Sequence, residues 1–182
     1  RPGNGYACGE VPYQDRYKSL AREKCIEYIS IFLNYGKEAG ASVPQTHSQI
    51  LALSVVPPDV GRSVRGSRDY FHENGKCIHC EMIASDLKDG RRIVYENKSA
   101  VVLCPYASRS NFEVRVFPKR HEAYFEKVDG KENELLDVAD AIKHALFKIH
   151  KNLKDPAFNF FLHTAPTIKK LEIIKRKKGK IK

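Results

Sequence analysis

Nowhere does an apolar run approach the roughly 18 to 20 residues that span a bilayer, which excludes a transmembrane helix. The opening residues, RPGNGYACGE, lack the apolar region of a secretory signal, so the expectation is an intracellular, cytoplasmic protein. No internal repeat is discernible, which argues against a solenoid or propeller. Cysteine is sparse and odd in number: five residues, of which Cys8, Cys25 and Cys104 stand alone. That count does not close a disulfide framework. In a reducing compartment the remaining pair, Cys77-Ile78-His79-Cys80, points to metal binding or redox chemistry.

What is present suits a packed globular chain, with 42% hydrophobic residues over a length of 182 that accommodates one good-sized domain or two small ones. The formal charge of +10 resembles a nucleic-acid signature until it is mapped. Ile168 to Lys182 holds eight Lys or Arg and one Glu, net +7, leaving +3 for the 167 residues before it. Basicity is therefore a property of the tail. A tail of that kind can contact phosphate backbones through counterion release, although terminal lysine runs are more often a solvated chain end.

The pattern along the chain mixes helix and strand. Tyr13 to Lys24 is weakly helical, and IEYISIFL from Ile26 to Leu33 reads as a buried strand. A glycine-bearing bend from Gly36 to Pro44 leads into a second strand, His47 to Val56, which Pro57-Pro58 ends. Residues 59–76 show no periodicity and read as a connector to the Cys77 knuckle. Beyond it, RRIVYENKSAVVLCP divides at Glu96-Asn97-Lys98 into a hairpin, NFEVRVFPKRH adds a third strand, and Glu132 to Leu153 carries the apolar spacing of an amphipathic helix. AFNFFLHTAP returns as a strand, and LEII at 171–174 is a further candidate.

The bend and its histidine carry the chemistry. A lone histidine after a glycine bend is ordinarily structural. Here, in a strand, His47 and Gln49 project from one face while Thr46 and Ser48 project from the other, so imidazole and amide can converge on one ligand. Gly36 and Gly40 let backbone N–H groups approach an anion, with Asn34 and Ser42 adding side-chain hydrogen bonds. The result is a phosphate cradle facing a nucleophile that is neutral, and hence reactive, near pH 7.

NYGKEAGAS followed by THSQI, then CIHC, CPYASRSNFEVRVFPKRH and NFFLHTAP, occur in an order that resembles the galactose-1-phosphate uridylyltransferases of the histidine-triad superfamily, including their ADP-glucose phosphorylase branch. The resemblance runs from about Tyr13 to Pro166. It implies that His47 is the catalytic nucleophile, that Gln49 hydrogen-bonds the covalently held phosphoryl group, and that Asn34, Gly40 and Ser42 line the nucleotide site. It further implies a zinc ion on Cys77, Cys80 and His121, a tetrahedral Cys/His set being one that zinc prefers. For the fourth ligand His163 is the nearest candidate by motif, with water and His79 as alternatives.

Two departures stand out. The family pattern His-Pro-His-x-Gln reads Gln45-Thr46-His47-Ser48-Gln49 here, and the expected histidine-bearing segment near the C-terminus reads TIKKLEII. The first loses, with an earlier Cys-x-x-Cys, a zinc site of the first lobe. The expected architecture is α+β and histidine-triad-like: residues 1–58 a partial first lobe with the nucleophile, 59–76 a connector, 77–174 a second lobe, 175–182 a basic tail. The expected function is transfer of a nucleoside monophosphate to or from a hexose 1-phosphate through a covalent histidine intermediate. The competing reading is a catalytically silent relative that binds nucleotide or RNA, or serves as a structural subunit. Expected partners are a nucleotide sugar and a sugar 1-phosphate, a second copy of the chain as a homodimer, and RNA at the tail.

Overall fold

The structure is a computed structural model that describes residues 12–43, 46–128 and 133–167. Cys8, Gln45, the LEII segment and the basic tail lie outside the described residues. The architecture is α+β: two three-stranded antiparallel sheets with packed helices.

In the first sheet β1 (Tyr28–Tyr35) is central, with β2 (Ser48–Leu53) on one side and β6 (Phe158–Leu162) on the other. Alternation divides its residues cleanly. Ile29 and Ile31 of β1, Ile50 of β2 and Leu162 of β6 pack with Tyr17 and Leu20 of α1 (Pro12–Ala21). Tyr17 is fully buried, meets Phe125 edge to face, and burial foremost pushes its phenol up to about 12. Each step of two along a strand keeps the same face, so the opposite face collects Phe32 and Asn34, Gln49 and Leu51, Asn159 and Phe161.

The second sheet runs β3 (Ile93–Glu96), β4 (Ala100–Leu103) and β5 (Arg115–Pro118). The hairpin turns at Asn97, whose side-chain oxygen accepts from the Ser99 and Ala100 N–H groups. Residues Ala100 to Leu103 are at most 2% exposed, so β4 is covered on both faces. One cover is α4 (Glu134–Leu153), whose Ala141 and Ala145 pack against Ala100 and Val102; small residues there let helix and sheet approach closely.

Residues 59–76, expected to be irregular, instead form most of α2 (Pro58–Asn74), and a second unexpected helix, α3 (Ile78–Asp89), follows at once. In α2 only Val60 is buried, so the helix lacks an apolar stripe strong enough to read. Its punctuation was nonetheless present: Pro58 at the start and Gly75 in the left-handed conformation at the end. The strand expected from His47 is shorter, with His47 directly before it.

Candidate functional site

β6, from the far end of the chain, adds to β1 in antiparallel register, pairing Phe32 with Phe161 and Asn34 with Asn159, while β2 pairs Gln49 with Phe32 and Ser48 with Leu33. One step beyond Leu33 and Ser48 stand Asn34 and His47. The outer face of the sheet therefore carries adjoining columns: Gln49, then Phe32 and Asn34, then Phe161 and Asn159, with His47 directly before β2 and His163 just past β6. Phe161 is 63% exposed and Gln49 and Asn159 are exposed, so this face is open to a ligand. His47 is half-buried, and next to it Ser48 accepts a 2.6 Å hydrogen bond from the Tyr13 hydroxyl on the sheet's other face.

The bend after β1 is a 3₁₀ turn, Lys37–Ala39, between two glycines. Gly36, at φ 84° and ψ 151°, has a backbone conformation that essentially only glycine adopts, and an added Cβ there lies 2.7 Å from Ala157 Cβ. Gly40 is left-handed at φ 80°, with the Asn34 amide nitrogen 3.9 Å from where its Cβ would stand. Part of the expected cradle of bend N–H groups is engaged within the bend itself. Ala39 and Ala41 already donate to the Gly36 carbonyl and Gly40 to Lys37, because a turn this tight closes on itself. Side-chain donors stand nearby as well: Asn34 at the end of β1, Ser42 after the bend and Gln49 across the sheet; Ser42 is exposed.

Cys77, Cys80 and His121 come together, their ligand atoms all within 4.8 Å of one another, with Cys80 Sγ 3.1 Å from His121 Nδ1. Separations of this order suit a tetrahedral ion with thiolate and imidazole ligands. Cys77 caps α3 and Cys80 lies in its first turn, where the helix dipole favours thiolates. Burial first, then the Cys77 thiol, pushes the Cys80 thiol up. Neither His79 nor His163 belongs to this group among the described residues. His79 instead lies beside Ser67 of α2, its Nε2 3.3 Å from the hydroxyl, and tilts against Phe117. His163 is exposed overall; partial loss of hydration foremost, with Arg115 and Arg109 adding, lowers its pKa although Asp59 pulls the other way.

No family model matches this chain. ADP-glucose phosphorylase of Arabidopsis thaliana is 37% identical over 156 residues, covering 86% of this chain and 42% of that protein. Galactose-1-phosphate uridylyltransferase of Thermotoga maritima is 36% identical over 137 residues, 73% of this chain and 42% of that protein. The crystal structure of the Arabidopsis ADP-glucose phosphorylase with bound ADP-glucose superposes with a TM-score of 0.77 at 36% identity, covering 85% of this chain and 48% of that one. The chain belongs to the galactose-1-phosphate uridylyltransferase family. It spans less than half the length of these relatives of the family. One residue of the site escaped sequence reasoning: Asn159, whose signal was the alternation of Asn159, Phe161 and His163 along AFNFFLHTAP.

Proposed function

We propose that the chain carries the nucleotidyl-transfer site of a hexose-1-phosphate nucleotidyltransferase. A nitrogen of the neutral His47 imidazole attacks the α-phosphorus of a nucleotide sugar, the bond to the sugar 1-phosphate oxygen breaks, and the sugar 1-phosphate departs. A second sugar 1-phosphate, or phosphate, then attacks the same phosphorus and regenerates His47. Splitting the transfer in two keeps two anions from meeting directly. Gln49 donates to the charge developing on phosphorus, Asn34 and Ser42 hold the nucleotide, and Gly40, without a side chain, lets it lie close. The observation that carries this reading is that Gln49 and Asn34 share one open sheet face, with His47 directly before β2 and the Gly36 bend directly after β1. The relatives' activities on ADP-glucose and galactose 1-phosphate support it.

Zinc completes the proposal on Cys77, Cys80 and His121, where it would pin the start of α3 to the segment after β5. Metal analysis tests this: absence of zinc, or unchanged metal content and melting in Cys77→Ser, rules it out. Chelation should destabilise the chain, since binding energy at a structural site is folding energy. A two-lobe division at 59–76, a homodimer, a cytoplasmic location and an RNA contact through the tail belong to the same proposal. Removing Lys169–Lys182 should then abolish RNA binding and its salt dependence.

The deciding experiment is the intact mass after incubation with ADP-glucose or UDP-glucose. An acid-labile nucleotidyl adduct is expected on the wild type and none on His47→Ala. Gln49→Ala should retain it at a rate lowered by about 2 to 4 kcal/mol of transition-state stabilisation. Nucleotide binding without any adduct would leave the silent binding module as the reading.

A further inference from the structure

The glycine bend cannot hold an anion with the amides it has already engaged, so the side chain of Asn34 matters more, and what decides which end of that amide meets the ligand is Asn159. The Asn159 Nδ2 lies 2.9 Å from the Asn34 Oδ1 and 2.9 Å from the Ala39 carbonyl oxygen. A backbone carbonyl only accepts, so the atom of Asn159 facing Ala39 must be the amide nitrogen. The same nitrogen, with its second hydrogen, reaches Asn34, and the Asn34 atom it meets must therefore be the oxygen. The logic closes without any assumed amide orientation.

Resting on the nucleotidyl-transfer reading above, we propose that Asn159 is a positioning residue for nucleotide binding, orienting Asn34 as a donor and anchoring the bend. By occupying the Asn34 oxygen it leaves the Nδ2 of Asn34, on the Gly40 side, as the end offered to phosphate. By engaging the Ala39 carbonyl it keeps one acceptor of the bend turned toward protein, where it does not face a phosphate oxygen. The arrangement depends on the β1–β6 pairing, which sets Asn159 directly opposite Asn34, and on Gly36, whose lack of a side chain lets the bend lie against Ala157 beside β6.

The test is binding of ADP-glucose and UDP-glucose by calorimetry, with adduct formation followed by mass. Asn159→Ala should weaken binding about tenfold, the scale of one or two lost hydrogen bonds, raising half-saturation for the adduct while the plateau rate stays within about threefold. Asn159→Asp should cost more, about a hundredfold, because a carboxylate turns the Asn34 amide around and adds negative charge beside the phosphate. The decisive readout is the double-mutant cycle: in an Asn34→Ala background, Asn159→Ala should have almost no further effect on affinity. Full additivity, or wild-type affinity in Asn159→Ala, overturns the proposal while leaving nucleotide binding intact. A wild type that binds neither nucleotide overturns both this inference and the reading beneath it, so the two failures are distinguishable.

Discussion

The first sheet has strands of eight, six and five residues and the second three strands of four, and the two treat their faces differently. In the second sheet β4 is buried on both sides, and its surroundings are cross-linked by polar pairs: Tyr95 to Asp140, Ser99 to Asp137, Arg120 to Glu134, Arg92 to Asp86. In the first sheet the face toward α1 is packed, and the other face is buried at Tyr28. Beyond Tyr28 that other face leaves Phe161, Leu51, Gln49 and Asn159 exposed, with the bend fixed at its edge. A sheet covered on both sides gains burial and offers no surface for chemistry, whereas a half-covered sheet gives up burial and keeps a rigid, addressable array of side chains.

The sharpest way to break that comparison is to strike the bend. Gly36→Ala places a Cβ against Ala157 in a conformation reserved for glycine, and should lower stability by about 3 kcal/mol and remove nucleotide binding together, read by denaturant melts and calorimetry. Val102→Ala, in the doubly covered strand, should cost about 2 kcal/mol yet leave the remaining folded protein able to form the His47 adduct. Loss of adduct in step with a stable fold would show the two sheets to be less separable than their faces suggest.

Acid should act on the second sheet first. The Tyr95 hydroxyl holds Asp140 below its ordinary range, the Tyr70 hydroxyl and Lys76 do the same for Glu81, and at Glu113 burial opposes ionisation but the Arg109 N–H and Arg115 outweigh it. Carboxyls whose folded pKa is lowered contribute stability that is complete above their unfolded values and lost as pH falls through the folded ones. Melting temperature should therefore decline below the usual carboxylate range, and hydrogen exchange should show α3 and the β3–β5 sheet opening before β1 and β2. The smallest effect is expected of Tyr95→Phe: Asp140 should titrate closer to its ordinary value by NMR, with melting little changed, because the pair lies at the surface.

Much of this was legible in the residues. The helix through Leu153 followed from periodicity, the hairpin from Glu96-Asn97-Lys98, and the Cys77 and Cys80 pair from knuckle spacing, while His121 beside them was implied by the family resemblance. Helices α2 and α3 were not legible, since two glycines and a polar composition hide the first, and the cysteine motif drew attention from the second.

Local order is what a sequence encodes by itself: alternation set Gln49 and Leu51 on one side of β2, and the glycines set a bend before them. Which strand lies beside β1 is a different kind of fact. Asn34 and Asn159 are 125 residues apart, and nothing in either segment names the other. Only the tertiary pairing of β6 with β1 brings their amides together, because strand partners are chosen by the burial of whole faces, here Ile31 with Leu162 over Tyr17. The polar residues opposite that buried face are carried into register by it.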